Sequence, residues 1–323
     1  MLVNVRPAMS QWGDEESDRT LSHFEWVLDR KTTIGRALVS ATRRLQEVGS
    51  DSPRLDAELL LAHVLGVSKT WLYTHAERQL RPDEVEQLQT LIARRARREP
   101  VAYLIGYREF YGLDFSVDAR VLIPRPETEL LVDEALTAIR LACRRKGNRD
   151  GRSARTIVAD IGTGSGAIAV SLAVYEPDVL IYATDISAEA LKVATVNIRR
   201  YGVENRVILS QGDLLKPLGE PVDVIVANLP YVSEEEWDDL VPDIVQYEPR
   251  LALFGGSDGL GLIRRLLGQA RQYLRPHGCV LMEIGARQGA AVHDLARHYL
   301  PGADVRVLQD YAGWDRILRV QVP

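Results

Sequence analysis

The chain has 323 residues, of which 46% are hydrophobic and 26% charged, ordinary values for a globular protein and more than one minimal domain needs. Forty Lys and Arg against 45 Asp and Glu give a formal net charge of -5, without the positive bias that non-specific duplex binding favours; Gly (24) and Pro (15) near average usage exclude collagen-like and globally disordered chains. Cys143 and Cys279 lack metal-ligand spacing, no run approaches the ~20 apolar residues that span a bilayer, and the first thirty residues lack a signal-peptide pattern, so a metal-free, cytoplasmic protein away from membranes is expected.

Residues 1–31, with Pro7, Gly13 and the acidic run from Asp14 to Asp18, read as a loosely ordered tail. From Thr32 the texture changes. Ile34, Leu38, Ala41, Leu45 and Val48 recur at helical spacing up to Gly49, with Thr33 as N-cap. Helices over 56–65, 69–75 and 82–98 follow, so 32–99 is expected to be a small all-helical domain that leans on the rest of the chain; since every chemical motif lies beyond it, substrate recognition is its expected task. Residues 100–124 read as a β-hairpin connector: Phe110 to Val117 alternates, Asp118-Ala119-Arg120 breaks the pattern, and Val121-Leu122-Ile123 resumes it. A helix over 128–141 follows. Arg140 to Arg155 carries seven basic residues and one acid, Asp150, and is expected to be a solvated loop.

Across 125–323 strands and helices alternate. Strands are expected over 156–161, 179–184, 206–210, 222–227, 279–284, 304–308 and 316–320, with helices over 167–175, 188–201, 260–274 and 288–300. This pattern specifies a Rossmann-like three-layer α/β fold on a seven-stranded, mostly parallel sheet. Only Gln309 to Asp315 separates the last two strands, too few residues for a crossover, so they form an antiparallel C-terminal hairpin.

The first strand of that sheet ends in Asp160-Ile161-Gly162-Thr163-Gly164-Ser165-Gly166 and opens a helix. Glycines here let the backbone approach a ligand beside a helix N-terminus, and a nucleotide-like cofactor is the natural occupant. Gly162, Gly164 and Ala167 also satisfy G-x-G-x-x-A, so a dinucleotide dehydrogenase is the rival at this point. Asp185, at the end of the second strand, is placed to accept ribose hydroxyls, while Ser187 is free to cap the next helix. Asp213, after the third strand, is either an adenine neighbour or a turn residue. After the fourth strand comes Asn228-Leu229-Pro230-Tyr231: an Asn amide, main-chain carbonyls before a proline, and an aromatic ring together make a clamp for a planar amide or amino group.

These motifs resemble a class I S-adenosylmethionine-dependent N-methyltransferase. Together with Ile123-Pro124-Arg125-Pro126-Glu127-Thr128-Glu129, Gly212-Asp213-Leu214-Leu215, Glu248-Pro249, Gly256-Ser257-Asp258-Gly259-Leu260, Glu283-Ile284-Gly285 and Gly313-Trp314-Asp315-Arg316, the chain from Thr32 onward resembles the HemK/PrmC family of peptide chain release factor glutamine methyltransferases. Leu229 departs from the family, which usually carries proline there; that position contributes mainly its carbonyl. The resemblance implies methylation of the side-chain amide nitrogen (N5) of the glutamine in the Gly-Gly-Gln loop of class I release factors, with S-adenosyl-L-methionine as cofactor and S-adenosyl-L-homocysteine as product. Gly162, Thr163, Gly164, Ser165 and Gly166 would line the methionine end of the cofactor, Asp185 would hold the ribose, Leu214 would touch the adenine, and the Arg125 to Thr128 segment would cover the methionine. Asn228, Leu229, Pro230 and Tyr231 would hold the glutamine, with Asn228, Pro230 and Tyr231 carrying the catalysis and Asn228 reaching the cofactor as well.

The same clamp would hold a flipped adenine, so a nucleic-acid adenine N6-methyltransferase is the alternative; another is a glutamine methyltransferase acting on a ribosomal protein. A non-catalytic scaffold on the same fold is the reading from outside the enzymes. Pro217 to Pro249 contains no Lys, Arg or His, while Glu234, Glu235, Glu236, Asp238, Asp239, Asp243 and Glu248 crowd the segment after Tyr231. Phosphates are repelled by such a mouth, so no stable nucleic-acid binding is expected.

Overall fold

The computed structural model describes residues 28–29, 31–146, 148–149, 152–153 and 155–323. They form two compact units, one comprising the described residues up to Ile105 together with Asp239–Tyr247, the other those of Gly106–Asp238 with Glu248–Pro323. Of the tail expected over residues 1–31, residues 1–27 and 30 lie outside the described residues. Leu28, at its end, is buried in the helical core.

The first unit holds α1 (Ile34–Glu47), α2 (Pro53–Leu65), α3 (Lys69–Thr74), α4 (Pro82–Ala96) and α5 (Val101–Ile105). The Thr33 hydroxyl accepts from Arg36 N and starts α1, whose Ile34, Ala37, Leu38, Ala41 and Leu45 pack with Leu60 and Leu61 of α2 and Leu88 and Ile92 of α4. α2 ends where Gly66 takes φ 65°. The helical unit extends beyond residue 99, because α5 is only five residues long, too short to show a period. Arg95 is buried on α4; its Nε donates to Asp56 Oδ2 at 2.7 Å and its Nη1 to Asp243 Oδ2 at 2.7 Å.

The second unit begins with a hairpin, β1 (Tyr107–Phe110) and β2 (Leu113–Ser116). Its turn is Tyr111-Gly112, at φ 53° and 73°, the left-handed pair of a two-residue hairpin; Val121–Ile123 is not a strand, so the connector turns within the alternating segment rather than after it. α6 (Thr128–Lys146) runs five residues past Leu141, into the stretch expected as a loop, and its last turn carries Arg144, Arg145 and Lys146, where positive charge suits the helix dipole. The two-residue strands β3 (Asn148–Arg149) and β4 (Arg152–Ser153) pair beyond it. Then come β5 (Thr156–Ile161), α7 (Ala167–Tyr175), β6 (Val179–Asp185), α8 (Ala188–Arg200), β7 (Val207–Gln211), β8 (Val222–Ala227), α9 (Glu234–Trp237), α10 (Pro242–Tyr247, in the first unit), α11 (Gly261–Tyr273), β9 (Leu274–Glu283), α12 (Gly289–Tyr299), β10 (Asp304–Gln309) and β11 (Asp315–Gln321).

The seven-stranded sheet has the order β10-β11-β9-β8-β5-β6-β7, and β11 is antiparallel to both neighbours. Alternate residues of each strand feed two cores. Val158, Ile181 and Val226 face α6, α7 and α8, while Ile157, Ala159 and Ile225 face α11 and α12. Parallel register sets Ile161 beside Thr184 on one side and Ala227 on the other, so the carboxyl ends of β5, β6 and β8 lie side by side. Ligands of open α/β sheets bind at such ends.

Candidate active site

Asp160, fully buried at the end of β5, anchors the glycine turn: its Oδ2 accepts from Thr163 Oγ1 at 2.6 Å and Ala169 N at 3.2 Å. Its Oδ1 is buried without a hydrogen-bond partner, and burial pushes the carboxyl up to about 7. Gly162, Gly164 and Gly166 have φ of 75°, 55° and 80°, where a side chain is strained, and a Cβ on Gly166 would also meet Ala194 Cβ at 3.3 Å. The turn's own N–H groups are largely committed: Gly162 N and Thr163 N donate to Thr184 O, Gly166 N to Thr163 O, and Gly164 N to Asp185 Oδ2 at 2.9 Å. Little remains for a pyrophosphate, which weighs against the dinucleotide reading.

Asp185 serves two neighbours, its Oδ1 accepting from Ser187 N at 2.9 Å while the Ser187 hydroxyl caps α8. Each carboxylate oxygen keeps further acceptor capacity, and burial raises the carboxyl above its usual range. Leu214 takes φ 53°, uncommon for a branched residue, and its carbonyl accepts from Thr184 Oγ1 at 3.0 Å. Asp213 is bound by Arg265 and Lys216, which hold its carboxyl below the usual range.

Asn228 follows β8. Its Nδ2 donates to Thr128 Oγ1 at 3.1 Å, and Thr128 Oγ1 donates to Glu283 Oε2 at 2.6 Å. The hydroxyl of Tyr231 donates to Glu283 Oε1 at 3.1 Å. Glu283 is buried, which pushes its carboxyl up, while Thr128, Arg316 and Tyr231 pull it back. Behind the clamp the backbones approach closely: a Cβ on Gly259 would lie 2.2 Å from Tyr231 O and 2.7 Å from Gln288 Nε2, which itself donates to Tyr231 O. A Cβ on Gly162 would lie 3.8 Å from the carbonyl oxygen of Asn228, so the clamp directly abuts the glycine turn.

A cavity of about 320 Å³ joins these parts, within the size range of small-molecule sites. Its wall includes Gly162 to Ser165, Asp185, Leu214, Asn228, Leu229 and Pro230, but Tyr231 is not part of it. The wall's arginines are paired: Arg120 with Asp118, Arg125 with Glu248, Arg265 with Asp213. Glu248 also accepts from Ile123 N at 3.1 Å and so fixes the segment that carries Arg125. The acids after Tyr231 are therefore not one solvated patch: Glu248 is buried, Asp243 is paired with Arg95, and Glu236 caps α9 through Ser233. Sequence motifs include Glu283 without giving it a role, place Thr128 only in the segment over the methionine and Glu248 only among the acids after Tyr231. Asn197 was not singled out at all, although it interrupts the apolar stripe Ala190, Val193, Ala194, Ile198; buried on α8, it donates from Nδ2 to Ser165 O at 2.8 Å and Ser116 O at 3.0 Å and accepts from Ser116 N at 2.8 Å. Among the described residues no cluster is placed to hold a metal ion, and no helix is long and apolar enough to cross a membrane.

This sheet order, with a glycine turn, a strand-end aspartate and an Asn-Leu-Pro-Tyr segment at adjacent carboxyl ends, is that of a class I methyltransferase fold. The same fold is found in the hMettl16 catalytic domain in complex with MAT2A 3'UTR hairpin 1, at TM-score 0.52 and 16% identity over 72% of this chain and 83% of that one. Residues 36–106 match the PrmC N-terminal domain and residues 148–256 the Methyltransferase small domain. The release factor glutamine methyltransferase of Moorella thermoacetica is 46% identical over 285 residues, 88% of this chain and 96% of that protein; that of Rhodopirellula baltica is 40% identical over 91% and 97%. The chain belongs to the release factor glutamine methyltransferase family.

Proposed function

We propose that the enzyme transfers a methyl group from S-adenosyl-L-methionine to the side-chain amide nitrogen of the glutamine in the Gly-Gly-Gln loop of class I release factors, releasing S-adenosyl-L-homocysteine. The observation that carries this reading is the Asn228 amide, its nitrogen committed to Thr128 and its oxygen left as acceptor, set against the glycine turn in one cavity. The wall suits the cofactor: Asp185 offers acceptors to ribose hydroxyls, Ile186, Leu214 and Leu262 offer an apolar face to a base, and cations already neutralised leave a sulfonium unopposed. When bound, the cofactor supplies an electrophilic methyl group.

The remaining work belongs to the protein. An amide nitrogen is a poor nucleophile because its lone pair is delocalised, so orientation and fixed acceptors matter more than acid or base chemistry. The side-chain oxygen of Asn228 and the carbonyls of Asn228 and Leu229 would accept the two N–H bonds of the target, aligning the nitrogen and stabilising the positive character it gains. Tyr231, pushed up by burial, keeps its proton and holds the end of the clamp against Glu283 rather than exchanging a proton with substrate. The helical unit, residues matching the PrmC N-terminal domain, would recognise the release factor. The test is incubation with labelled cofactor and purified release factors, followed by mass localisation of the methyl group. Label on the Gly-Gly-Gln glutamine supports the reading; label only on another protein's glutamine or on adenine overturns it.

A further inference from the structure

We propose that Glu283, acting through Thr128, fixes which way the Asn228 amide faces, and is thus a positioning residue for the transfer. The inference rests on the proposed function for its kinetic part, and on geometry alone for the rest. An asparagine amide is nearly symmetric in shape, so only its neighbours decide whether oxygen or nitrogen faces the cavity. Here the decision is made two residues away. Glu283 accepts on both oxygens: Oε1 takes the Tyr231 proton, and Oε2, 2.6 Å from Thr128, takes the single hydroxyl proton of that residue. With that proton committed, Thr128 Oγ1 has only lone pairs left for Asn228, 3.1 Å away, and the Asn228 nitrogen is the atom that meets it. Asn228 Oδ1 is then the acceptor available to a substrate N–H. The reverse orientation would require the Thr128 proton to point at Asn228, giving up the 2.6 Å hydrogen bond that Thr128 donates to Glu283 in a buried site.

The same carboxylate takes the Tyr231 proton on its other oxygen, so one buried group sets both ends of the clamp. Its own place is held by the sheet: Glu283 is the last residue of β9, beside β8, and pairs across from Ile317 of β11, next to Arg316. This assigns work to Glu283, and to Thr128 a task besides its place in the segment over the methionine end of the cofactor.

The full chain is tested as Thr128→Val, Thr128→Ser, Glu283→Gln, Asn228→Ala and the double variant Thr128→Val/Asn228→Ala, with kcat and KM on the release factor, calorimetric affinity for S-adenosyl-L-homocysteine, and the side-chain amide resonance assigned to Asn228 by its loss in Asn228→Ala. Thr128→Val should lower kcat about 10–100-fold, as when a partner that orients an active-site group is removed, with KM and cofactor affinity within about threefold of wild type. Thr128→Ser should restore most of the rate. On the Asn228→Ala background Thr128→Val should add nothing, and the Asn228 resonance should move in both Thr128→Val and Glu283→Gln. Additive losses in the double variant, no rescue by serine, or an unmoved resonance would overturn the proposal. If the wild-type protein methylates no release factor, the functional reading fails, and the resonance still decides the relay.

Discussion

Asp160 and Asp185 are carboxylates of one site with different work, and each can be isolated by a single change. Asp160 has a folded pKa of about 7 against an ordinary 3.8, because it is fully buried. A carboxyl raised in this way favours folding in its protonated form: its contribution is greatest below about pH 4 and is withdrawn as pH climbs towards 7. Thermal melts across that range should show wild type losing stability relative to Asp160→Asn, whose side chain is neutral throughout; a constant difference would show that the group titrates normally. Asp185→Ala should weaken S-adenosyl-L-methionine binding by about 1.5–3 kcal/mol in calorimetry, the value of hydrogen bonds to a charged acceptor. Asn228→Ala should lower kcat on the order of 10²–10³ with a smaller change in KM for the release factor, whereas Leu229→Pro, which keeps the carbonyl, should be nearly neutral in the same steady-state assay. These residues were legible because each stands at or just past the end of a short apolar run that reads as a strand. The partners were not: Thr128 and Glu283 are 155 residues apart, and their meeting depends on strand order, which local pattern does not encode.

Helix α8 shows the same division at the level of an element. Its apolar stripe predicts a buried face, and the stripe's one polar member, Asn197, ties the glycine turn at Ser165 to the hairpin at Ser116. Asn197→Ala should cost about 2–4 kcal/mol, because several backbone groups lose their partner at once, and should lower the urea midpoint without changing the slope. The hairpin and α6 diverged from their expected bounds for physical reasons. Tyr111 at positive φ disguises a turn as an ordinary strand residue, and the basic run after Arg140 resembles a loop in composition while three of its cations sit in a helix's last turn. Composition reports solvation, and both loops and helix ends are solvated.

At the level of the whole molecule, every described residue lining the cavity belongs to the methyltransferase unit. A chain beginning at Gly106 should therefore retain affinity for S-adenosyl-L-homocysteine by calorimetry while losing methyl transfer to a folded release factor; full transfer would remove the helical unit from substrate recognition. The two units were legible as an all-helical segment and an alternating α/β segment, but not the exchange between them, since nothing in Asp239–Tyr247 marks it as part of the helical unit. That exchange orders events in time. Arg95 is buried between Asp56 and Asp243, and Arg98 Nε lies 2.5 Å from Asp243 Oδ1, so the helices near the amino terminus share an acid that the ribosome delivers 148 residues after Arg95. Domains generally fold as they emerge, amino-terminal first. Here the first unit to leave the exit tunnel is the one that must wait, its guanidinium cluster short of one counter-charge until the glycine turn and the clamp have both been synthesised.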